Sequence, residues 1–131
     1  MTDSAVINGV RRAWIAVAVW AAIQLTLTSL PGEVLPPGIN HPFDWGAHLF
    51  LYGGLGFLVA RAAVLSRWPL RRLVWIALVI CLGGALDELH QLFIPGRSAE
   101  WSDWMGDTAG VVSGLTVGAR LMTSRFATWL R

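Results

Sequence analysis

The sequence predicts an all-α integral membrane bundle of four transmembrane helices with both termini in the cytoplasm. Three observations carry that reading. Of 131 residues, 55% are hydrophobic and only 14% are charged, against roughly 25% charged in soluble domains. Charges and prolines gather in short segments that leave four long apolar stretches between them. The arginines fall almost wholly on one side of the path those stretches imply. So much apolar side chain excludes a disordered chain. The single Cys81 excludes a disulfide framework and a cysteine-based zinc site. Eight tryptophans suit an aromatic belt at the membrane–water interfaces.

Nothing ionisable separates Arg12 from Glu33, so the first helix is expected over 13–30. Arg11 and Arg12 before an apolar run resemble the front of a signal peptide. The run is longer than a usual apolar signal region and lacks a small-x-small cleavage site, so an uncleaved span is expected. Pro31, Gly32, Pro36, Pro37, Gly38 and Pro42 make 31–42 a loop. The second helix is expected over 45–65, with His48 near its start and Arg61 near its end. Ser66–Arg72, containing Pro69, links it to a third over 73–91, whose last turns carry Asp87, Glu88, His90 and Gln91. Pro95-Gly96-Arg97-Ser98 is a turn, and a fourth helix follows over 104–122. All six prolines fall outside these spans. A spanning helix needs about 20 mainly apolar residues; the first two stretches meet that alone, the last two only with polar ends at a surface or inside the protein. A soluble bundle would need a charged face on each helix, and 13–30 has none. No strand-like alternation and no repeat is found.

Arginine sets the orientation. Arg11 and Arg12 precede the first helix, Arg61, Arg67, Arg71 and Arg72 surround the 66–72 link, and Arg120, Arg125 and Arg131 close the chain. Only Arg97 lies on the other side. The positive-inside rule then places both termini and the link in the cytoplasm of a multi-pass protein of the plasma (inner) membrane. The basic balance is thereby a topology signal, and no nucleic-acid partner is expected. Ser124–Arg131 is expected to lie along the inner interface.

The acids show the opposite bias. Glu33, Asp44, Asp87, Glu88, Glu100, Asp103 and Asp107 lie on the outward half with all three histidines, His41, His48 and His90. His48 and Asp107 each stand thirteen residues from an inner arginine, and Asp87 stands fifteen. At 1.5 Å per residue that puts all three roughly 20–22 Å above the inner interface. Faces agree with depth: Asp44 and His48, Asp87 and Gln91, and Asp103 and Asp107 are i,i+4 pairs, and Glu88 and Gln91 are i,i+3. Gly106, Gly110, Gly114 and Gly118 form a small-residue row on the stripe of Asp103 and Asp107, as close helix packing in lipid requires. Ionisable groups within a membrane are costly unless paired or hydrated. Asp44, His48, Asp87, Glu88, His90, Gln91, Arg97, Ser98, Asp103 and Asp107 are therefore expected to form one outward-facing polar, ligand-binding cavity.

The pattern Asp44-x-x-x-His48-x-x-x-Tyr52-x-x-Leu55, then Asp87-Glu88-x-His90-Gln91-x-Phe93-x-Pro95-Gly96-Arg97-Ser98, then Asp103-x-x-x-Asp107-x-x-Gly110-x-x-x-Gly114, resembles the VanZ family. The likeness covers about residues 13–122, and the central block is its specific part. It implies one VanZ-like domain over 1–131 in a small bacterial membrane protein, and a link to resistance against the glycopeptide teicoplanin. It supplies no mechanism and no cofactor. Many members carry Lys where this chain has Trp45 and Asn where it has Asp107, so the layer here is more acidic.

Three readings of function remain open from the residues. In the first, the layer binds or acts on a cell-envelope ligand, a lipid-linked precursor or a phospholipid. Arg97 would then offer a fork to phosphate or carboxylate and a carboxylate or His48 would serve as base; no activated Ser or Cys nucleophile is evident. In the second, the acids and imidazoles bind a divalent cation, although no H-x-x-x-H or E-x-x-H pair is present. In the third, the protein is a non-enzymatic subunit, with the glycine row serving a second copy or a partner helix. Conduction is disfavoured, because nothing ionisable lies in the inner half.

Overall fold

The computed structural model describes the backbone of residues 3–34 and 44–129 and the side chains of 4–34 and 45–123. Four long helices follow in order: α1 (Asp3–Thr28), α2 (Asp44–Leu65), α3 (Leu70–Gln91) and α4 (Trp101–Trp129), with a short 3-10 turn at Gly32–Val34. No strand occurs among the described residues. Part of the first loop, residues 35–43, and the side chains of Asp44 and of 124–131 lie outside them.

The helices outrun the expected spans where charge was taken as a boundary. α1 begins ten residues early and runs through Arg11 and Arg12. Arginine has high helix propensity; it limits the part of a helix that sits in lipid, and leaves the helix itself unbroken. α3 starts at Leu70, immediately after Pro69 in an extended conformation (φ −69°, ψ 152°). α4 starts at Trp101, the Glu100 carbonyl accepting hydrogen bonds from the Asp103 and Trp104 amides, and its backbone stays helical to Trp129.

The glycine row decides the central pairing. A Cβ on Gly110 would stand 2.6 Å from the Leu49 carbonyl oxygen and 2.8 Å from the Gly53 amide nitrogen. One on Gly106 would meet the Trp45 carbonyl oxygen at 2.7 Å, and one on Gly118 would meet Ala60 at 2.8 Å. Backbone thus lies close on backbone along about three turns. These contacts advance together along both chains, from Trp45 beside Gly106 to Ala60 beside Gly118, so α2 and α4 run parallel. α1, α2 and α3 are long and apolar enough to cross a membrane. α4 carries more polar residues in its first turns and lies beside α2 at matching level. The fold is an all-α membrane bundle.

α1 runs antiparallel to α2. The Trp14 indole donates to Ser66 Oγ at 3.0 Å, and that of Trp20 to the Leu51 carbonyl at 2.8 Å. Near the arginine-rich end, Trp14 packs on Trp68 (centroids 4.8 Å apart), and the Arg72 guanidinium lies 5.7 Å from the Trp68 ring. Outer faces are apolar: Trp75, Val79, Leu82 and Leu86 of α3 are each more than 60% exposed. Such a continuous face suits lipid and would aggregate in water.

Two loops lock together at the opposite end. The Gly32 amide donates to the Pro95 carbonyl at 3.0 Å. A Cβ at Gly32 would collide with the Gly96 carbonyl, and Gly96 itself has φ +72°, a value glycine adopts without strain. This contact ties the segment after α1 to the turn between α3 and α4.

Candidate functional site

Close approach at Gly106 brings the next residue of α4 against α2. Asp107 is fully buried and His48 is 2% exposed, and His48 Nδ1 lies 2.9 Å from Asp107 Oδ1. From α3, Glu88 enters the same space. Its Oε2 accepts the Glu100 backbone amide at 2.9 Å, which turns Oε1 to 3.7 Å from His48 Nδ1. Gly84, one turn before Glu88, leaves room for Asp107: a Cβ there would stand 2.8 Å from Asp107 Oδ2. One donor atom each from His48, Glu88 and Asp107 lies within 4.8 Å of the others. Glu88 Oε1 and Asp107 Oδ2 are buried with no hydrogen-bond partner.

The other expected residues divide around this centre. Asp87 faces α1 and α2, taking hydrogen bonds from Thr28 Oγ1 at 3.0 Å and from the Tyr52 hydroxyl at 3.5 Å. Gln91 is fully buried and its Oε1 accepts from Arg97 Nη2 at 3.1 Å. Asp103 is 2% exposed in the first turn of α4, with the Ser102 hydroxyl donating to its Oδ1 at 3.2 Å. Ser98 is exposed, donating to Glu100 Oε1 at 3.2 Å. His90, expected in the cavity, is exposed on α3. Two residues past Glu88 is about 200° around a helix, which carries it off the inward face. Asp44 opens α2, but its side chain lies outside the described residues.

Thr28, Glu100 and Trp104 were missed by sequence reasoning. Gln24 and Thr28, an i,i+4 polar pair on an otherwise apolar helix and both buried, were the available signal for α1's part. Nothing in the sequence pointed to Glu100 as the residue whose amide orients Glu88. The Trp104 indole donates to the Cys81 carbonyl at 3.0 Å and so fastens α4 to α3.

Beside the centre, between α3 and the start of α4, a half-open hollow of about 420 Å³ is lined by Ala85, Glu88, Leu89, Glu100, Trp101 and Trp104. Its walls are almost entirely apolar; Glu88 belongs both to the wall and to the three-helix centre. The arrangement can hold a proton or a cation on His48, Glu88 and Asp107 while apolar matter rests against the two tryptophans. The hydroxyls of Ser98 and Ser102 are both engaged with carboxylates, and Cys81 lies on the apolar stretch of α3.

A family model described as VanZ/LLP1 matches residues 8–122. The chain belongs to that family. The match takes in all three polar motifs and nearly all of the four-helix core, so the centre described above lies wholly within the VanZ/LLP1 region. No curated protein and no solved structure matches the chain.

Proposed function

We propose that this VanZ/LLP1 protein sits in the plasma membrane with both termini cytoplasmic and binds a cell-envelope amphiphile, lipid-linked or phosphate-bearing, from the outer leaflet. The apolar part of the ligand occupies the hollow between α3 and α4, and its polar head meets Glu88 and the His48–Asp107 pair behind it. The observation that carries this is the double membership of Glu88, one carboxylate shared between an apolar hollow and a buried polar centre. The arginine bias supports the orientation, with nine of the ten on the side away from that centre. The exposed apolar side chains of Leu89 and Trp101 at the hollow support entry from within the bilayer.

The test is native mass spectrometry of the protein released from nanodiscs of bacterial phospholipid. One retained lipid per chain is expected in the wild type. Ala85→Trp, which fills the hollow, should remove it while the helical signal persists. Equal retention by both proteins would overturn the reading. The teicoplanin link rests on the family resemblance and is tested apart: expression in a susceptible Gram-positive host should raise tolerance to that drug.

A further inference from the structure

His48, Glu88 and Asp107 come from three different helices, yet their donor atoms lie within 4.8 Å of one another. The two distances from His48 Nδ1 are 2.9 Å to Asp107 Oδ1 and 3.7 Å to Glu88 Oε1. In a tetrahedral site with metal–ligand bonds near 2.0–2.1 Å, neighbouring donors stand roughly 3.3 Å apart. The two separations from His48 bracket that spacing, and the third, between Glu88 and Asp107, lies within 4.8 Å.

Two further observations point to a cation. Glu88 Oε1 and Asp107 Oδ2 are acceptor atoms without a hydrogen-bond donor, on side chains 6% and 0% exposed. Oε1 is aimed at the His48–Asp107 pair because the Glu100 amide holds the other Glu88 oxygen. Such outer contacts are how metal-ligating carboxylates are oriented. A cation would also offset the carboxylate charge of Glu88 and Asp107, to which buried Asp103 adds, in a setting where an unbalanced charge is costly.

We infer that His48, Glu88 and Asp107 form a binding site for one divalent transition-metal ion of the zinc type. The imidazole selects such ions over magnesium or calcium, which prefer all-oxygen shells. Binding moves the ring proton to Nε2, so that Nδ1 offers its lone pair to the ion and no longer shares a proton with Asp107. Because Glu88 also lines the hollow, the ion stands at its inner end. There it would let an acidic centre receive a phosphate oxygen; only that last consequence rests on the envelope-ligand reading.

The experiment is calorimetric titration of the full chain, purified in detergent with any affinity tag removed and treated with chelator. Zinc chloride, manganese chloride and magnesium chloride are added separately. One zinc ion per chain is expected, with manganese and magnesium each at least about tenfold weaker. Glu88→Gln and Asp107→Asn should each weaken binding by about tenfold or more, and Glu33→Gln, on an exposed acid outside the centre, should leave it unchanged. Absence of stoichiometric binding by the wild type would overturn the inference. So would equal affinity in the wild type and in a Glu88→Gln protein whose helical spectrum is intact. Ion binding that survives Ala85→Trp while lipid retention is lost separates the two proposals, since each then fails or stands alone.

Discussion

His48 Nδ1 and Asp107 Oδ1 meet at 2.9 Å although fifty-nine residues separate them, and both side chains are almost wholly removed from the surface. The pair exists because α2 and α4 run parallel with glycine between them. It joins the two helices by a polar bond at the level where they are otherwise joined by backbone contact.

Asp107→Asn keeps an oxygen that can accept the His48 N–H, whereas Asp107→Ala leaves that donor unpartnered and opens a gap. The alanine variant should lose about 2 kcal/mol or more of stability, and the asparagine variant clearly less. Reversible unfolding in mixed micelles measures the difference; equal losses would remove the hydrogen bond from the account.

The glycine row makes a paired prediction. Gly110→Ala places a methyl group against the Leu49 and Gly53 backbone and should cost about 1–3 kcal/mol as the helices part. Gly83→Ala, with nothing within 4 Å, should be neutral or slightly stabilising. The same unfolding assay ranks the two.

Thr28 ties α1 to the polar centre through Asp87. Thr28→Val is nearly isosteric and removes the donor, leaving Asp87 with the longer Tyr52 contact. A loss of about 1–3 kcal/mol is expected for leaving a buried acceptor without its donor. Combining it with Asp87→Ala in a double-mutant cycle should return a coupling energy well above zero.

The proposed orientation is read by labelling. In a Cys81→Ala background, Ser98→Cys in the exposed turn should react with a membrane-impermeant maleimide added to intact cells. Arg67→Cys, exposed at the other end, should react only after permeabilisation. The reverse pattern would invert the bundle.

Composition and punctuation alone were enough for the class of this protein. A chain with no charge over twenty residues and prolines confined to its links has few ways to hide its backbone from lipid except helices. Helical rise put His48 and Asp107 at one level, where they meet, and the glycine stripe announced a close contact on α4. Helix ends were not legible from charge, since Arg11, Arg12 and Arg71 bound the lipid-facing part of a helix without ending it. Tertiary structure alone decided that α4's partner is α2, and therefore that Asp107 faces His48. It also separated Asp87 from Glu88, adjacent in the chain but directed to different neighbours by the 100° step between them, and it turned His90 outward. Ligand spacing along one helix could not reveal a centre whose three donors come from three helices; only packing brings them to one point.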